Sequence, residues 1–163
     1  MGKIARQRGI EAVIGVAEAL PFDDAQFDFA LMVTTIYFLN TIENAFREAY
    51  RVLKPDGCLI IGFIDKDSSL GKLYQHYKKD SLFYRVATFY SVKEVISHLK
   101  KTGFQNFSFT QTIFNSLSEI KNVEPIMNGY GKGSFVVIKV RKRRKLATSF
   151  TRKMLFEIPN PTL

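Results

Sequence analysis

Tryptophan is absent from the 163 residues, cysteine occurs once and histidine twice. The single thiol, Cys58, excludes an internal disulfide and a cysteine-based zinc cluster, and its place in an apolar run marks a buried, inert side chain. His76 and His98 lie far apart with no partner one helical turn away, so no histidine metal motif is present and metal ligands are expected to be none. His98 falls off the apolar face of its segment and reads as solvated. Long apolar runs are also missing. None approaches the roughly 20 residues of a membrane-spanning helix, and the opening "MGKIARQRG" lacks the apolar segment of a secretory signal. The cytoplasm is the expected compartment.

Charge is unevenly placed. The formal net charge is +9, but eight of the 24 Lys and Arg and one of the 15 acids fall from Lys139 onward. The body is nearly neutral and the tail is basic. "KVRKRRK" (Lys139 to Lys145) has the charge to meet RNA, an acidic partner or an anionic membrane surface. With no aromatic residue in the run and no nucleic-acid-binding motif elsewhere, it reads as a solvated tail and nucleic acid is not the expected partner.

With five prolines and ten glycines, punctuation is sparse enough to mark boundaries. "KIARQRG" reads as the end of a helix stopped at Gly9. "EAVIGV" (Glu11 to Val16) predicts a short strand. "FDFALMV" (Phe27 to Val33) is almost continuously apolar, the pattern of a parallel strand buried on both faces. Asn40 and Glu43 have capping-box spacing ahead of a helix whose apolar positions are Ile42, Ala45, Phe46, Ala49, Tyr50 and Leu53. "KPDG" (Lys54 to Gly57) ends that helix, and "CLIIGFI" (Cys58 to Ile64) is a third strand, completing a βαβ unit. Residues 68–90 are polar-aromatic and helical in part. Ser91 and Glu94 form a second capping box, with Gly103 as the stop. "NFSFTQTIF" and "SFVVIKV" (Ser134 to Val140) are strands, expected to be antiparallel.

The turn "AEALPFDDAQFDFALMV", the segment "FREAYRVLKPDGCLIIG" and the helix "YSVKEVISHLKKTGFQNF" resemble, in order and spacing, the central and C-terminal parts of class I S-adenosylmethionine-dependent methyltransferases, in the branch that includes quinone-biosynthesis and small-molecule enzymes. The resemblance implies an α/β, Rossmann-like methyltransferase fold with strands in the order 3-2-1-4-5-7-6 and the last strand antiparallel. It assigns residues 1–140 to a partial methyltransferase domain holding strands three to seven, with the first two strands missing, and leaves 141–163 as a basic, flexible extension. The glycine-rich cofactor loop and the ribose-holding acid of the family belong ahead of Lys3, so the expected protein is truncated or completed by another polypeptide.

The resemblance also implies S-adenosyl-L-methionine as cofactor and a small-molecule methyl acceptor. Val16, Ala17 and Glu18 would lie beside the adenine, and Val33 and Thr34 near the methionine. Tyr37 and Asp65 are the candidate substrate contacts, and no general base is assigned, because methyl transfer from a sulfonium demands alignment above all. The alternative function is a non-catalytic remnant acting as an interaction module through its basic tail. An open, apolar strand edge makes a homodimer the expected assembly. "GYGKG" (Gly129 to Gly133) leads into a strand and not a helix, so it reads as a hairpin turn. Asp23 and Asp24 read as a solvated turn.

Overall fold

The computed structural model describes residues 2–144. Helix α1 (Gly2–Gln7) is followed by Gly9 at φ 75°, which ends it as expected. After an irregular stretch come β1 (Phe27–Val33), α2 (Ile42–Val52), β2 (Leu53–Ile64), α3 (Ser69–His76), α4 (Val92–Thr102), β3 (Phe104–Thr112), β4 (Met127–Asn128) and β5 (Phe135–Lys142). The strands form one sheet in the order β1-β2-β5-β3-β4. β1 and β2 run parallel, and β5 enters antiparallel between β2 and β3.

Strand periodicity sorts the side chains onto two faces. Ala30 and Met32 of β1 register with Leu59 and Ile61 of β2, which register in turn with Val140 and Ile138 of β5. This face, with Phe63 and Val136, is buried under α2 and α4, whose Phe46, Ala49, Val95 and Leu99 complete the core. On the opposite face Phe29, Leu31 and Val33 are 65%, 68% and 48% exposed. β1 is therefore covered on one face and not on both, and among the described residues no strand pairs with its outer edge.

Glu11–Val16 is not a strand. Only an isolated bridge joins Val16 to Ala19, and Val13 and Ile14 are exposed. β-branched residues favour extension, but a strand persists only where a neighbour takes up its backbone hydrogen bonds. None of the described strands pairs with it.

The two expected capping boxes part company. At α4 the box is complete: the Ser91 side chain accepts from Glu94 N–H, and Glu94 accepts from the Ser91 backbone at 2.7 Å. Gly103, at φ 103°, closes that helix in the left-handed conformation that glycine adopts without strain. At α2 the N-cap is Thr41, with no side-chain cap bond. The would-be partners are engaged elsewhere: the Asn40 backbone N–H donates to Glu18 Oε1 at 2.7 Å, and Glu43 Oε1 lies 2.8 Å from His98 Nδ1. That contact also corrects the solvated reading of His98, whose side chain is 21% exposed between α2 and α4.

Hydrogen bonding to the Ser91 backbone, followed by the Lys66 ammonium, holds the Glu94 carboxyl below its ordinary value of 4.5. A depressed folded-state value stabilises the fold above about 4.5, and that contribution is lost as pH falls through the lower folded value. Glu94→Gln is expected to flatten the acid limb of a plot of Tm against pH; an unchanged limb would remove Glu94 from the acid response.

The glycine-rich "GYGKG" is a turn, but not a hairpin, because β4 and β5 lie on opposite sides of β3. It carries the chain around the end of β3, with Gly129 and Gly131 at φ 89° and 95°. The buried Gln111 side chain anchors it, its Oε1 accepting from the amides of Lys132 and Gly133 at 2.8 and 2.7 Å. β5 runs two residues past the expected domain end, to Lys142; the rest of the basic extension, from Lys145, lies outside the described residues. Among the described residues no helix is long and apolar enough to cross a membrane.

Candidate functional site

The carboxyl ends of β1 and β2 lie at the same end of the sheet, the position at which open α/β sheets bind ligands. Thr34 follows the end of β1, and its φ of 55° is unusual for a β-branched residue. The turn is held by hydrogen bonds: Thr34 N–H donates to Gly62 O at 2.8 Å, and the Thr34 and Thr35 hydroxyls donate to Val33 O at 2.8 and 3.2 Å. Beside it opens a cleft of about 450 Å³, lined by Val16, Ala17, Glu18, Val33 and Thr34 together with Thr35, Phe38, Leu39, Asn40 and Phe83.

Two segments separated in sequence thus form the two walls. Glu18 bridges them by accepting from the Asn40 backbone N–H, so one of its carboxylate oxygens is committed to the protein. The loop behind the first wall is gripped by α2. Glu48 Oε2 accepts from Leu20 N–H at 2.8 Å; the Arg51 guanidinium donates to Leu20 O at 3.0 Å, to Phe22 O at 2.7 Å and to Asp24 Oδ1 at 2.8 Å. Arg51 also pairs with Glu48 through two bonds of 2.8 Å. Side-chain bonding to Arg51 pulls the Glu48 carboxyl below its ordinary value. Asp24 is therefore part of an ion pair and not simply a solvated turn residue. The E-x-x-R spacing of Glu48 and Arg51 opposite "AEALPFDD" was the available signal for this clamp.

Tyr37 is not among the residues lining the cleft. It is 1% exposed, and its hydroxyl donates to Ile64 O at 3.1 Å and accepts from Ile64 N–H. Burial pushes its phenol above the usual range. Its ring packs on Phe89 at 5.1 Å. Tyr37 therefore fastens the loop after β1 to the end of β2. Tyr37→Phe leaves both backbone groups of Ile64 without this partner and is expected to cost about 1–3 kcal/mol, measurable by urea unfolding.

Asp65 is likewise buried and turned inward. Its Oδ1 accepts from the amides of Asp67 and Val92 at 3.2 and 3.3 Å, placing a carboxylate at the start of α4. Gly71 lets α3 lie against it, since a Cβ there would stand 2.1 Å from Asp65 O. The sequence missed Phe83, which meets Phe38 edge to face at 4.9 Å on the cleft. His76 lies outside the cleft lining and packs on Tyr77. Among the described residues no three His, Cys, Asp or Glu side chains are placed to hold a metal ion.

Residues 1–61 match the family described as the methyltransferase domain. An uncharacterized protein of Methanocaldococcus jannaschii is 48% identical over 142 residues, covering 87% of this chain and 69% of its own length. The crystal structure of a SAM-dependent methyltransferase from Thermotoga maritima superposes with a TM-score of 0.86 at 48% identity, covering 88% of this chain and 69% of that one. More distantly, a 2-methoxy-6-polyprenyl-1,4-benzoquinol methylase of Danio rerio is 39% identical over 87 residues, which are 47% of this chain and 27% of that protein. The fold and these likenesses define a Rossmann-like methyltransferase domain. The chain belongs to the family of class I S-adenosylmethionine (SAM)-dependent methyltransferases.

Proposed function

We propose that the cleft beside Thr34 is the SAM site and that the chain serves methyl transfer to a small-molecule acceptor. The observation that carries this reading is that Val16–Glu18 and Val33–Thr34, distant in sequence, line one cleft at the carboxyl end of β1. In this reading β1, β2, β5 and β3 stand as strands four, five, seven and six of the family sheet, in agreement with their order.

The walls suit such a ligand. Ala17 leaves room for a flat ring, and Val16 and Val33 offer apolar contact. The peptide groups from Val16 to Glu18 supply polar edges. SAM, when bound, brings an activated methyl group on a sulfonium. The chain's own residues hold and orient it: Thr34 sets the end of β1, Glu18 ties the two walls together, and Phe38 with Phe83 screens the mouth from water. Alignment of this kind accounts for much of the barrier lowering in a direct displacement.

Calorimetric titration of the folded chain with SAM and with S-adenosylhomocysteine tests the reading. Saturable binding of both ligands in the micromolar range is expected. A folded chain that gives no heat with either ligand would refute the cleft as a SAM site.

A further inference from the structure

The stretch from Lys72 to Val86, which reaches the cleft lining only through Phe83, combines two features. It carries Lys72, Lys78, Lys79 and Arg85 against the single acid Asp80, and none of these four cations forms an ion pair with a described residue. It also displays large apolar and aromatic side chains: Leu82 is 83% exposed, Val86 71%, Phe83 64% and Tyr77 55%. The end of α3 and two short 3-10 turns, Lys78–Asp80 and Tyr84–Val86, build it. Clustered exposed apolar side chains on a folded protein mark a contact surface.

We propose that this segment is a docking surface for an anionic lipid membrane. A side chain as exposed as Leu82 projects from the surface instead of lining a groove, which suits insertion into a fluid interface. Unpaired lysines and arginine beside it match negative headgroups, and tyrosine is at home at the boundary between headgroup and acyl chain. A second copy of the chain would bring the same cations face to face, which disfavours self-association through this patch. The apolar face of β1, by contrast, offers no charge that selects an occupant.

The position gives the surface a use. Phe83 belongs both to this segment and to the lining of the cleft, where it packs on Phe38. The docked face therefore borders the cleft mouth, and the acceptor class it fits is a lipophilic molecule held in the bilayer. That last step rests on the SAM-site reading; the docking surface itself does not.

Because the chain has no tryptophan, Leu82→Trp installs a sole reporter without disturbing the core. The full chain carrying it is mixed with vesicles of phosphatidylcholine alone and of phosphatidylcholine with phosphatidylglycerol. A blue-shifted emission is expected with the anionic vesicles, reversed by salt, and adding Lys79→Glu and Arg85→Glu is expected to weaken the association at least about tenfold. Co-sedimentation with unshifted emission would assign the attraction to other residues, the basic tail first among them, and would overturn the proposal. So would an absence of association with either vesicle. Calorimetry with SAM on the same variant separates the two readings: cofactor binding with an unshifted indole removes only the surface, and a shifted indole without cofactor binding removes only the cleft.

Discussion

Phe46→Ala is expected to destabilise the fold by about 3–5 kcal/mol, the range for deleting a buried aromatic ring. Phe46 is completely buried among Ala45, Ala49 and the neighbouring strands, on the helix that covers β1 and β2. A loss of that size is a large part of the ~5–15 kcal/mol that stabilises an ordinary domain. The control is Phe29→Ala. Phe29 is 65% exposed, and its removal is expected to stay within roughly 0.5 kcal/mol. Urea midpoints at unchanged slope would measure both. Equal losses would mean that β1 is covered on both faces after all, and the one-sided sheet described above would be wrong.

The second large effect is functional. Arg51→Ala removes the donors that hold Leu20 O, Phe22 O and Asp24, and leaves Glu48 without its partner. The loop that presents Val16–Glu18 then keeps little of its grip on α2. SAM affinity is expected to fall about tenfold or more, the scale of one lost charge-assisted hydrogen bond. Arg51→Lys is not expected to rescue it, because an ammonium cannot reproduce a planar fork that reaches two carbonyls and two carboxylates at once. Arg51 acts here as a positioning residue: the loss belongs in cofactor Kd, while the acceptor KM at saturating SAM stays near the parent value. An unchanged Kd would leave the clamp as a contributor to stability alone.

Where local chemistry decided the outcome, the sequence was sufficient. Ser91 and Glu94 cap α4 as their spacing predicts, and Gly103 ends it. Phe27–Val33 is a strand over its full predicted length, and the β-branched run before Val140 lies antiparallel in the sheet. The failures occurred where two distant segments compete for one group. Asn40 and Glu43 have the same pattern as the working box, but Glu18 takes the backbone N–H of one and His98 engages the carboxylate of the other. Such partners are invisible to a local window. The same reason explains Tyr37, whose hydroxyl answers the backbone of Ile64, and "GYGKG", whose glycines bend around β3 under the control of Gln111. Glu11–Val16 had the composition of a strand and lacked a neighbour to pair with. At the candidate site, sequence supplied both walls of the cleft but neither Phe83 nor the Glu48–Arg51 clamp that holds one of them.

The position of β5 has a consequence for how the molecule comes together. β2 sits between β1, which precedes it closely in the chain, and β5, which follows some seventy residues later. The β1-α2-β2 unit and the α4–β3 pair are assembled from near neighbours, but the seam that joins them, β2 to β5 to β3, closes only when Phe135–Lys142 arrives. Long-range closure of this kind is the slow step in folding. During synthesis β2 therefore waits with Cys58–Ile64 unpaired on that side, an apolar edge exposed to chaperones and to other nascent chains. Substitutions in the last strand, at Val136, Ile138 and Val140, are accordingly expected to slow refolding more than substitutions around the cleft, a difference that stopped-flow refolding rates would measure.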